Sequence, residues 1–300
     1  MHYNKPIILV AGEPYSIFLE IFFKTLKTET IKKPIILICS YKLVVAQMRA
    51  LKFDFKINLI KNNKFNIKDI KKNKINLINV DFQFTKTFDK ISSNSNSYIE
   101  NSFNIALELL KKKKFSGLVN GPISKKNFLN GKFLGITEYL AFKTNCKNKV
   151  GMLIYNKKLS VSPLTTHLAL KDVKKNINKK IIYNNIKLIN NFYKNQFKKN
   201  PKICITGLNP HCESNYKSSE ENNIISPAIK YLKNKKYNVC GPFPADTIFM
   251  RENMSKYDVI VGMYHDQVLA PSKALFGFNA INITLGLPFI RISPDHGPNT

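Results

Sequence analysis

The sequence has 300 residues, of which 44% are hydrophobic and 22% charged, and its formal net charge is +29 at pH 7. This length and composition are typical of a folded soluble protein with one large domain or two of ordinary size. No apolar run approaches the roughly 18 residues needed to span a bilayer, and the apolar run at residues 6–11 is too short for a signal peptide. We therefore expect a cytoplasmic protein with no membrane partner.

The positive charge is spread along the chain rather than concentrated. Arginine occurs only at Arg49, Arg251 and Arg291, and lysine is found in nearly every segment. A nucleic-acid-binding surface usually concentrates its charge and interleaves arginine with aromatic residues. We therefore favour a solvated lysine surface and no nucleic-acid partner, with a basic nucleic-acid-binding protein kept as an alternative. On this background, an arginine is expected to be present for its geometry.

The five cysteines are scattered and show no CxxC spacing. An odd, scattered set argues against a disulfide framework and against a cysteine-rich zinc site. We expect reduced thiols that are mostly buried.

Apolar runs alternate with amphipathic segments through the first half of the chain. Short β-branched runs predict buried strands, and apolar residues at three- and four-residue intervals predict helices. Residues 52–94 carry a weaker signal, with two short strands among loops rich in lysine and asparagine. Outside that region we predict strands at residues 6–11, 34–39 and 117–119, and helices at residues 17–26, 42–51 and 95–113.

The same alternation continues to the end of the chain. It predicts an α/β protein with a largely parallel sheet and helices on both faces. No linker marks a boundary, as expected if the C-terminus returns to complete a discontinuous first domain. Here we predict strands at residues 150–155, 159–161, 203–206, 259–262 and 281–285, helices within 172–197 and 219–235, and a Pro/Gly-rich loop at 239–246.

Three histidines stand at or shortly after predicted strands. His167, His211 and His265 occur in Thr-Thr-His, Asn-Pro-His and Tyr-His-Asp contexts. Ligand groups in open α/β sheets lie where strands end, and three imidazoles from three strand ends can hold one divalent metal with positions open for substrate. The pattern alone leaves open the alternative of isolated loop histidines without a metal. Residues 258–300 are predicted to supply half of the active site.

A series of short motifs resembles that of one enzyme family. The motifs are Asn-Gly-Pro at 120–122, Gly-Ile-Thr-Glu-Tyr-Leu at 135–140, Thr-Thr-His-Leu at 165–168, Gly-Leu-Asn-Pro-His at 207–211, Gly-Pro-Phe-Pro-Ala-Asp-Thr at 241–247, Met-Tyr-His-Asp-Gln at 263–267, Asn-Ile-Thr-Leu-Gly-Leu-Pro at 282–288 and Asp-His-Gly at 295–297. On these motifs the chain resembles the 4-hydroxythreonine-4-phosphate dehydrogenases of vitamin B6 biosynthesis, the PdxA family. The resemblance runs from Gly12 to the C-terminus.

The resemblance implies a fold like that of isocitrate and isopropylmalate dehydrogenases. Two α/β/α domains with largely parallel sheets are expected around a cleft, in a homodimer with its active site at the subunit interface. Residues 1–134 and 281–300 would form the first domain. Residues 135–280 would form the second, with most of the metal and dimer contacts.

The resemblance also assigns site residues. It implies metal ligation by His167, His211 and His265, contributed from both subunits, and a dinucleotide near Gly286, although no GxGxxG fingerprint is present. Asp246 and Asp266 could orient an imidazole or transfer a proton, or equally be strand-end or helix-capping residues. The positions that match substrate contacts are Thr137, Lys273, Asn282 and Arg291, and Lys273 is also assigned a catalytic role.

The implied reaction is an oxidation of 4-phosphohydroxy-L-threonine by NAD, with NADP as an alternative. A divalent metal (Zn, Mg or Co) would lower the pKa of the substrate's secondary alcohol as hydride leaves. The resulting ketone lies β to the carboxylate, so carbon dioxide can depart to give 3-amino-2-oxopropyl phosphate. Lys273 and the planar fork of Arg291 would pair the phosphate and carboxylate of this small substrate.

Three departures from the family pattern leave alternatives open. Residues 12–20 lack two glycines and a proline of the family's first loop, Ile136 replaces a histidine, and the family continues for some tens of residues past the motif at 295–297. The sequence is therefore either a piece of a longer enzyme or a shortened one. The alternative functions are a dehydrogenase of another phosphorylated four-carbon hydroxy acid, 4-phosphoerythronate or 4-phosphothreonate, and a catalytically degenerate metal-binding remnant.

Overall fold

The computed structural model describes residues 5–61, 65–147, 149–212, 218–295 and 297. The chain forms two compact units, Met1–Ile136 with Pro288–Thr300, and Thr137–Leu287. Strands and helices alternate in both, and the prediction of an α/β fold with largely parallel sheets is confirmed. The motif at 295–297 is described only in part, because His296 lies outside the described residues.

The described residues of the first unit form six strands in the order β3-β4-β2-β1-β5-β12. All neighbouring pairs whose direction is recorded run parallel, with Ile7 of β1 opposite Ile35 of β2 and Gly117 of β5. Strands β1 and β2 are uninterrupted apolar runs and are largely buried, as expected for parallel strands covered by helices on both faces. The bounds of the six strands are β1 (Ile7–Val10), β2 (Ile35–Cys39), β3 (Ile57–Leu59), β4 (Ile75–Asn79), β5 (Gly117–Asn120) and β12 (Arg291–Pro294).

The described residues of this unit form three α-helices: α1 (Phe18–Thr28), α2 (Tyr41–Ala50) and α3 (Asn96–Lys111). Helix α2 begins after Ser40, whose side chain accepts a hydrogen bond from the backbone N–H of Leu43 and so satisfies one free amide of the first turn. Each helix buries one apolar face, as amphipathic spacing predicts.

The described residues of the second unit form six strands in the order β11-β6-β7-β10-β8-β9. Strands β7, β10, β8 and β9 are mutually parallel, whereas β6 runs antiparallel to both β7 and β11. The carboxyl ends of four strands therefore lie at one edge of the sheet. The bounds are β6 (Gly151–Tyr155), β7 (Ser160–Thr165), β8 (Ile203–Thr206), β9 (Val239–Phe243), β10 (Val259–Tyr264) and β11 (Ile281–Leu285).

Helices of the second unit cover this sheet and begin at several strand ends. The buried residues Ile154, Val161, Cys204 and Ile260 form the centre of one apolar cluster. The helices are α4 (Ile136–Lys143), which begins at the boundary between the units, α5 (Leu170–Asn176), α6 (Lys179–Phe197), α7 (Ser226–Asn234), α8 (Ala245–Ile248), α9 (Arg251–Met254) and α10 (His265–Phe276).

The structure corrects two boundaries predicted from the sequence. Residues 239–246 were expected to be a loop, but they contain β9 and the start of α8, because the run from Val239 pairs with β8 despite its glycine and prolines. The predicted first domain included residues 281–287. In the structure β11 pairs antiparallel with β6, so these residues lie in the second unit.

The cysteines and the helix lengths bear on two further expectations. All five cysteines are free thiols, with Cys39 and Cys204 buried and the other three half-buried. The expectation of mostly buried thiols therefore holds for two of them. Among the described residues, no helix is both long enough and apolar enough to cross a membrane.

Candidate active site

Four side chains with metal-binding chemistry follow the parallel strands of the second unit at their shared carboxyl edge. His167 lies just beyond β7, His265 directly after β10, His211 beyond β8, and Asp246 beyond β9. These strands are adjacent and parallel, so their ends bring residues from distant parts of the sequence to one edge.

The imidazoles of His167 and His265 are neighbours at this edge. Their ring centroids are 6.0 Å apart at an angle of 35°. His167 has a left-handed backbone conformation (φ 55°), which turns the chain sharply after β7. His265 opens α10, and its Nδ1 lies 2.6 Å from Oδ1 of Asp266. The neighbouring carboxylate can thus fix the tautomer and orientation of this ring.

His211 lies at the end of β8's loop and faces a different carboxylate. Its backbone is also left-handed (φ 57°, ψ 8°), and its Nδ1 is 3.9 Å from Oδ2 of Asp246. Both side chains are largely exposed, at 71% and 59%. Each of the two aspartates predicted to act beside a histidine, Asp246 and Asp266, therefore stands next to one.

The donor chemistry at this edge fits a divalent cation, but the described residues of one chain do not assemble a full ligand set. Imidazole nitrogens suit zinc and cobalt, and nearby carboxylates can hold the ligating rings. Among the described residues, no group of three His, Cys, Asp or Glu side chains lies close enough together to hold a metal ion. The edge instead presents one pair, His167 with His265, and a separate His211 beside Asp246. The assignment of three metal ligands stays a prediction.

A layer of hydrogen bonds beneath the histidines ties the strand ends together, and sequence reasoning did not identify it. Thr165 at the end of β7 donates its hydroxyl to the carbonyl of Met263 in β10, at 2.7 Å. Gln267 accepts from the N–H of Met263 at 2.7 Å and from the hydroxyl of Thr206 in β8 at 3.0 Å. The same glutamine donates to the carbonyl of Gly207 at 2.8 Å. The sequence placed Gln267 in a motif but assigned it no role.

Two buried glutamates hold the loop that carries His211. Oε1 of Glu221 accepts from the backbone N–H groups of Leu208 and Asn209, both at 2.8 Å, and its Oε2 accepts from the Asn209 side chain at 2.8 Å. Glu220 accepts from the same amide at 3.0 Å and pairs with Lys174 at 2.8 Å. Burial acts to raise the pKa of each carboxyl, but these donors outweigh it and lower both pKa values.

The depressed pKa of Glu221 predicts acid sensitivity. Its pKa lies below the ordinary value of 4.5 in the folded chain, so the unfolded chain binds more protons in that window and the stabilisation is lost as pH falls through the folded pKa. We expect the free energy of unfolding of the wild type to fall below pH 4.5, and that of Glu221→Gln to fall less steeply. Urea unfolding at several pH values measures this. Parallel pH curves for the two proteins would contradict it.

Three predicted substrate residues, Thr137, Asn282 and Lys273, lie in the second unit, and the first two lie near one face of β11. Thr137 in α4 is buried, and its Oγ1 is 3.3 Å from Oγ1 of Thr284 in β11. Asn282 lies two residues before Thr284, so both point to the same side of β11. Oδ1 of Asn282 is buried and has no hydrogen-bond partner among the described residues. Lys273 is on α10, with Nζ 5.1 Å from the ring centre of Phe278.

Arg291, the fourth predicted substrate residue, lies in the core of the first unit. It begins β12, is 0% exposed, and is among the largest fully buried side chains in the chain. Its Nε donates to Oδ1 of Asn120 at the end of β5, at 2.8 Å. Arg291 thus has a structural partner that the sequence did not indicate, and its contact with substrate stays a prediction.

Gly286 has a structural reason to be glycine that is separate from its predicted place near a dinucleotide. It follows β11 with φ +86°, a conformation that other residues rarely adopt. A Cβ at this position would lie 2.0 Å from the carbonyl oxygen of Lys149. The backbone therefore requires glycine here whether or not a cofactor binds.

We expect Gly286→Ala to destabilise the protein because it combines an unfavourable φ with a backbone clash. The loss should exceed the roughly 1 kcal/mol that positive φ alone costs a non-glycine residue. Chemical denaturation measures it. Gly131→Ala is a matched control, since Gly131 also has a positive φ (+70°) but nothing within 4 Å of its Cβ position. Equal losses for the two variants would show that the Lys149 contact is unimportant.

The altered first loop is closed by a buried carboxylate. Glu13 accepts from the N–H of Ser124 at 3.1 Å and from the hydroxyl of Ser95 at 3.0 Å. Tyr15 packs edge-on against Phe82, with ring centroids 5.9 Å apart. At the two positions where the family has glycine, Ser16 donates its hydroxyl to the carbonyl of Glu13 at 2.9 Å and Phe18 stacks on Phe22 with ring centroids 6.5 Å apart, so both side chains are accommodated within the first unit.

Comparison with known proteins gives a consistent result over nearly the whole chain. Residues 30–299 match the family described as pyridoxal phosphate biosynthetic protein PdxA. A curated 4-hydroxythreonine-4-phosphate dehydrogenase of Sulfurihydrogenibium sp. (strain YO3AOP1) is 38% identical over 299 residues, covering 97% of this chain and 89% of the relative. One from Wigglesworthia glossinidia brevipalpis is 35% identical over 295 residues, covering 97% and 88%.

Solved structures of proteins with the same name share the fold. The 4-hydroxythreonine-4-phosphate dehydrogenase of Klebsiella pneumoniae superposes with a TM-score of 0.81 at 28% identity, covering 98% of this chain and 92% of that one. The enzyme of Burkholderia phymatum gives a TM-score of 0.80 at 28% identity, covering 99% and 91%.

Proposed function

Because the chain belongs to the PdxA family of dehydrogenases, we propose that it oxidises 4-phosphohydroxy-L-threonine with NAD in the biosynthesis of pyridoxal phosphate. The substrate's secondary alcohol becomes a ketone as its C–H hydride passes to the nicotinamide and its O–H proton is released. The ketone lies β to the carboxylate, and loss of carbon dioxide then gives 3-amino-2-oxopropyl phosphate. NADP is the alternative acceptor, and a cytoplasmic location belongs to the same proposal.

The observation that carries the proposal is the histidine-bearing edge of the second unit. His167, His211 and His265 follow three adjacent parallel strands, and two aspartates stand beside His211 and His265. A divalent ion, when bound there, supplies Lewis-acid polarisation of the substrate oxygen during oxidation and decarboxylation. Since one chain offers a histidine pair and a separate third histidine, we propose that a homodimer completes the ligand set, with donors from both subunits.

The substrate's anionic groups and reacting proton are assigned to the remaining residues. Thr137 and Asn282 are proposed to hydrogen-bond the substrate, and they lie near one face of β11. Lys273 and Arg291 are proposed to pair its phosphate and carboxylate. Asp246 and Asp266, which lie beside imidazoles in the structure, are proposed to orient those rings or to accept the released proton, together with Lys273.

The proposal is tested by following the absorbance of NADH as it forms from NAD, with 4-phosphohydroxy-L-threonine and zinc, cobalt or magnesium. We expect metal-dependent turnover and loss of activity in a chelator. Turnover with 4-phosphoerythronate or 4-phosphothreonate alone would assign the chain to another dehydrogenase of the same fold. Failure with every substrate and metal would favour a metal-binding remnant.

The replacement of the family's histidine by Ile136 is the specific reason to test those other substrates. Isoleucine cannot hydrogen-bond a phosphate or carboxylate, and Ile136 directly precedes the proposed substrate residue Thr137 at the start of α4. The first-loop changes at residues 12–20 lie in the other unit and are packed internally. The alternative substrates are therefore tested side by side with the first.

A further inference from the structure

We propose that Gln267 and Glu221 are positioning residues that together hold the loop at residues 207–212, called here the histidine loop, and thereby set the place of His211 relative to His265. The histidine loop follows β8 and carries His211 one residue before its end. This inference rests on the proposed function only in taking His211 as a metal ligand. The hydrogen bonds that hold the loop are present in the chain without metal.

Gln267 fixes the start of the histidine loop from the side of α10. Its Nε2 donates to the carbonyl of Gly207 at 2.8 Å, while its Oε1 accepts from the backbone N–H of Met263 and the hydroxyl of Thr206. One amide therefore joins β10, β8 and the loop. Because Gln267 lies two residues after His265 on the first turn of α10, the link runs between the elements that carry two of the three histidines.

Glu221, which follows the histidine loop in the sequence, fixes the middle of that loop. Its carboxylate is 2% exposed and accepts three hydrogen bonds, from the backbone N–H groups of Leu208 and Asn209 and from the Asn209 side chain. Buried carboxylates that accept backbone N–H groups make strong charge-assisted bonds. The bond to Asn209 lies two residues before His211, so the loop has little freedom to move that ring.

The close packing around Gly207 shows how little room the histidine loop has. A Cβ on Gly207 would lie 2.6 Å from Sγ of Cys212 and 3.1 Å from Oε1 of Glu221. The N–H of Gly207 also donates to the carbonyl of Phe243 in β9, the strand that leads to Asp246. The loop that carries His211 and the strand that leads to Asp246 are thus joined directly by a hydrogen bond.

Alternative explanations of these contacts make different predictions. If Gln267 and Glu221 merely stabilise the fold, replacing them should affect the protein in the same way as replacing any other buried amide or carboxylate, namely by lowering its stability. Gln47 provides the matched control, because it is 1% exposed and its amide donates to the carbonyls of Pro14 and Thr87 at 3.0 and 3.1 Å in the first unit. Gln47→Met should therefore cost stability without affecting His211.

The first experiment needs no metal. Backbone amide exchange at Leu208 and Asn209, and the imidazole NMR signal of His211, are measured in the wild type, Gln267→Met, Glu221→Gln and Gln47→Met. We expect at least about 10-fold faster exchange and a shifted His211 signal in the two site variants only, because weakened loop contacts allow local opening. Unchanged exchange and an unchanged His211 signal in both site variants, or equal changes in Gln47→Met, would overturn the proposal.

The second experiment measures cobalt(II) affinity and the cobalt absorption spectrum in the same four proteins. Loss of groups that orient ligands typically weakens metal binding by about 10–100-fold, and we expect this for Gln267→Met and Glu221→Gln but not for Gln47→Met. Gln267→Glu keeps the acceptor for Met263 and Thr206 and loses the donor to Gly207, so it should show an intermediate loss. Equal affinity in all variants would overturn the proposal.

The two experiments separate failure of this inference from failure of the proposed function. A wild type that binds no cobalt would contradict the proposed metal site. The amide exchange rates and the His211 signal would then decide, by themselves, whether Gln267 and Glu221 hold the histidine loop. Should Gln267→Met or Glu221→Gln fail to fold, Gln267→Glu and Glu221→Asp replace them, since each keeps an acceptor and removes only part of the contacts.

Discussion

Replacing His211 by alanine is expected to abolish NADH formation and to weaken divalent-metal binding by more than about 100-fold, because a ligating imidazole is removed and only weaker donors are left. The fold should persist. The side chain of His211 is 71% exposed and lies in a loop rather than in a packed cluster, so its removal leaves no cavity. Steady-state turnover, cobalt titration and thermal unfolding of the same preparation measure the three properties.

A suitable control for His211→Ala is Arg251→Ala in the same unit. Arg251 is exposed on α9, with no assigned role in the site, so its loss should leave turnover, metal affinity and melting temperature unchanged. Turnover by His211→Ala at the wild-type level would contradict the metal assignment. A large loss of thermal stability would instead assign His211 to the fold.

The strand ends of the site could be predicted from the sequence because each local signal was strong. The apolar runs at β7, β8 and β10 predicted strands, and His167, His211 and His265 follow them. Parallel pairing of these strands then brings the three residues to one edge without any detailed knowledge of side chains. The missed strand β9 has a different explanation: its Gly241-Pro242 step carries a turn signal, but pairing with β8 overrides it.

The hydrogen-bonded layer beneath the histidines could not be predicted in the same way. Glu221 lies on the helical segment that follows the loop, and its side chain is indistinguishable in sequence from an ordinary exposed glutamate. Only the tertiary fold places its carboxylate against the N–H groups of Leu208 and Asn209. For Gln267 a signal was present, since it lies in the same motif as His265. Its role was hidden because its partners come from β8 and β10.

For Arg291, the composition indicated that the residue is present for its geometry, but it did not indicate that the side chain is buried. In a chain with three arginines, an arginine was expected to be there for its geometry. The planar guanidinium does meet a fixed acceptor, Oδ1 of Asn120, at 2.8 Å. Complete burial could not be read from the sequence, because arginine is rarely buried. The burial of Arg291 allows its structural role and its proposed contact with substrate to be tested separately.

Arg291→Ala is expected to lower the free energy of unfolding by about 3 kcal/mol, since it leaves a cavity in the first unit and removes the donor to a buried amide oxygen. The side chain is 0% exposed and its acceptor Asn120 is 1% exposed, so water cannot readily replace the lost contact. Urea unfolding at pH 7 measures the loss. A loss below about 1 kcal/mol would show that Arg291 is not part of the structural core.

Arg291→Lys and Asn120→Ala separate the structural role of Arg291 from its proposed contact with substrate. Lysine keeps the charge but lacks Nε and the planar fork that pairs a carboxylate or phosphate, so we expect a folded protein with at least about a 10-fold higher KM for substrate. Asn120→Ala removes the structural acceptor of Arg291 but leaves the charged guanidinium of Arg291 in place. The main effect of this variant should therefore be on stability. If Arg291→Lys folds and its KM matches that of the wild type, Arg291 supports the core of the first unit and the anionic groups of the substrate are held by Lys273 and its neighbours.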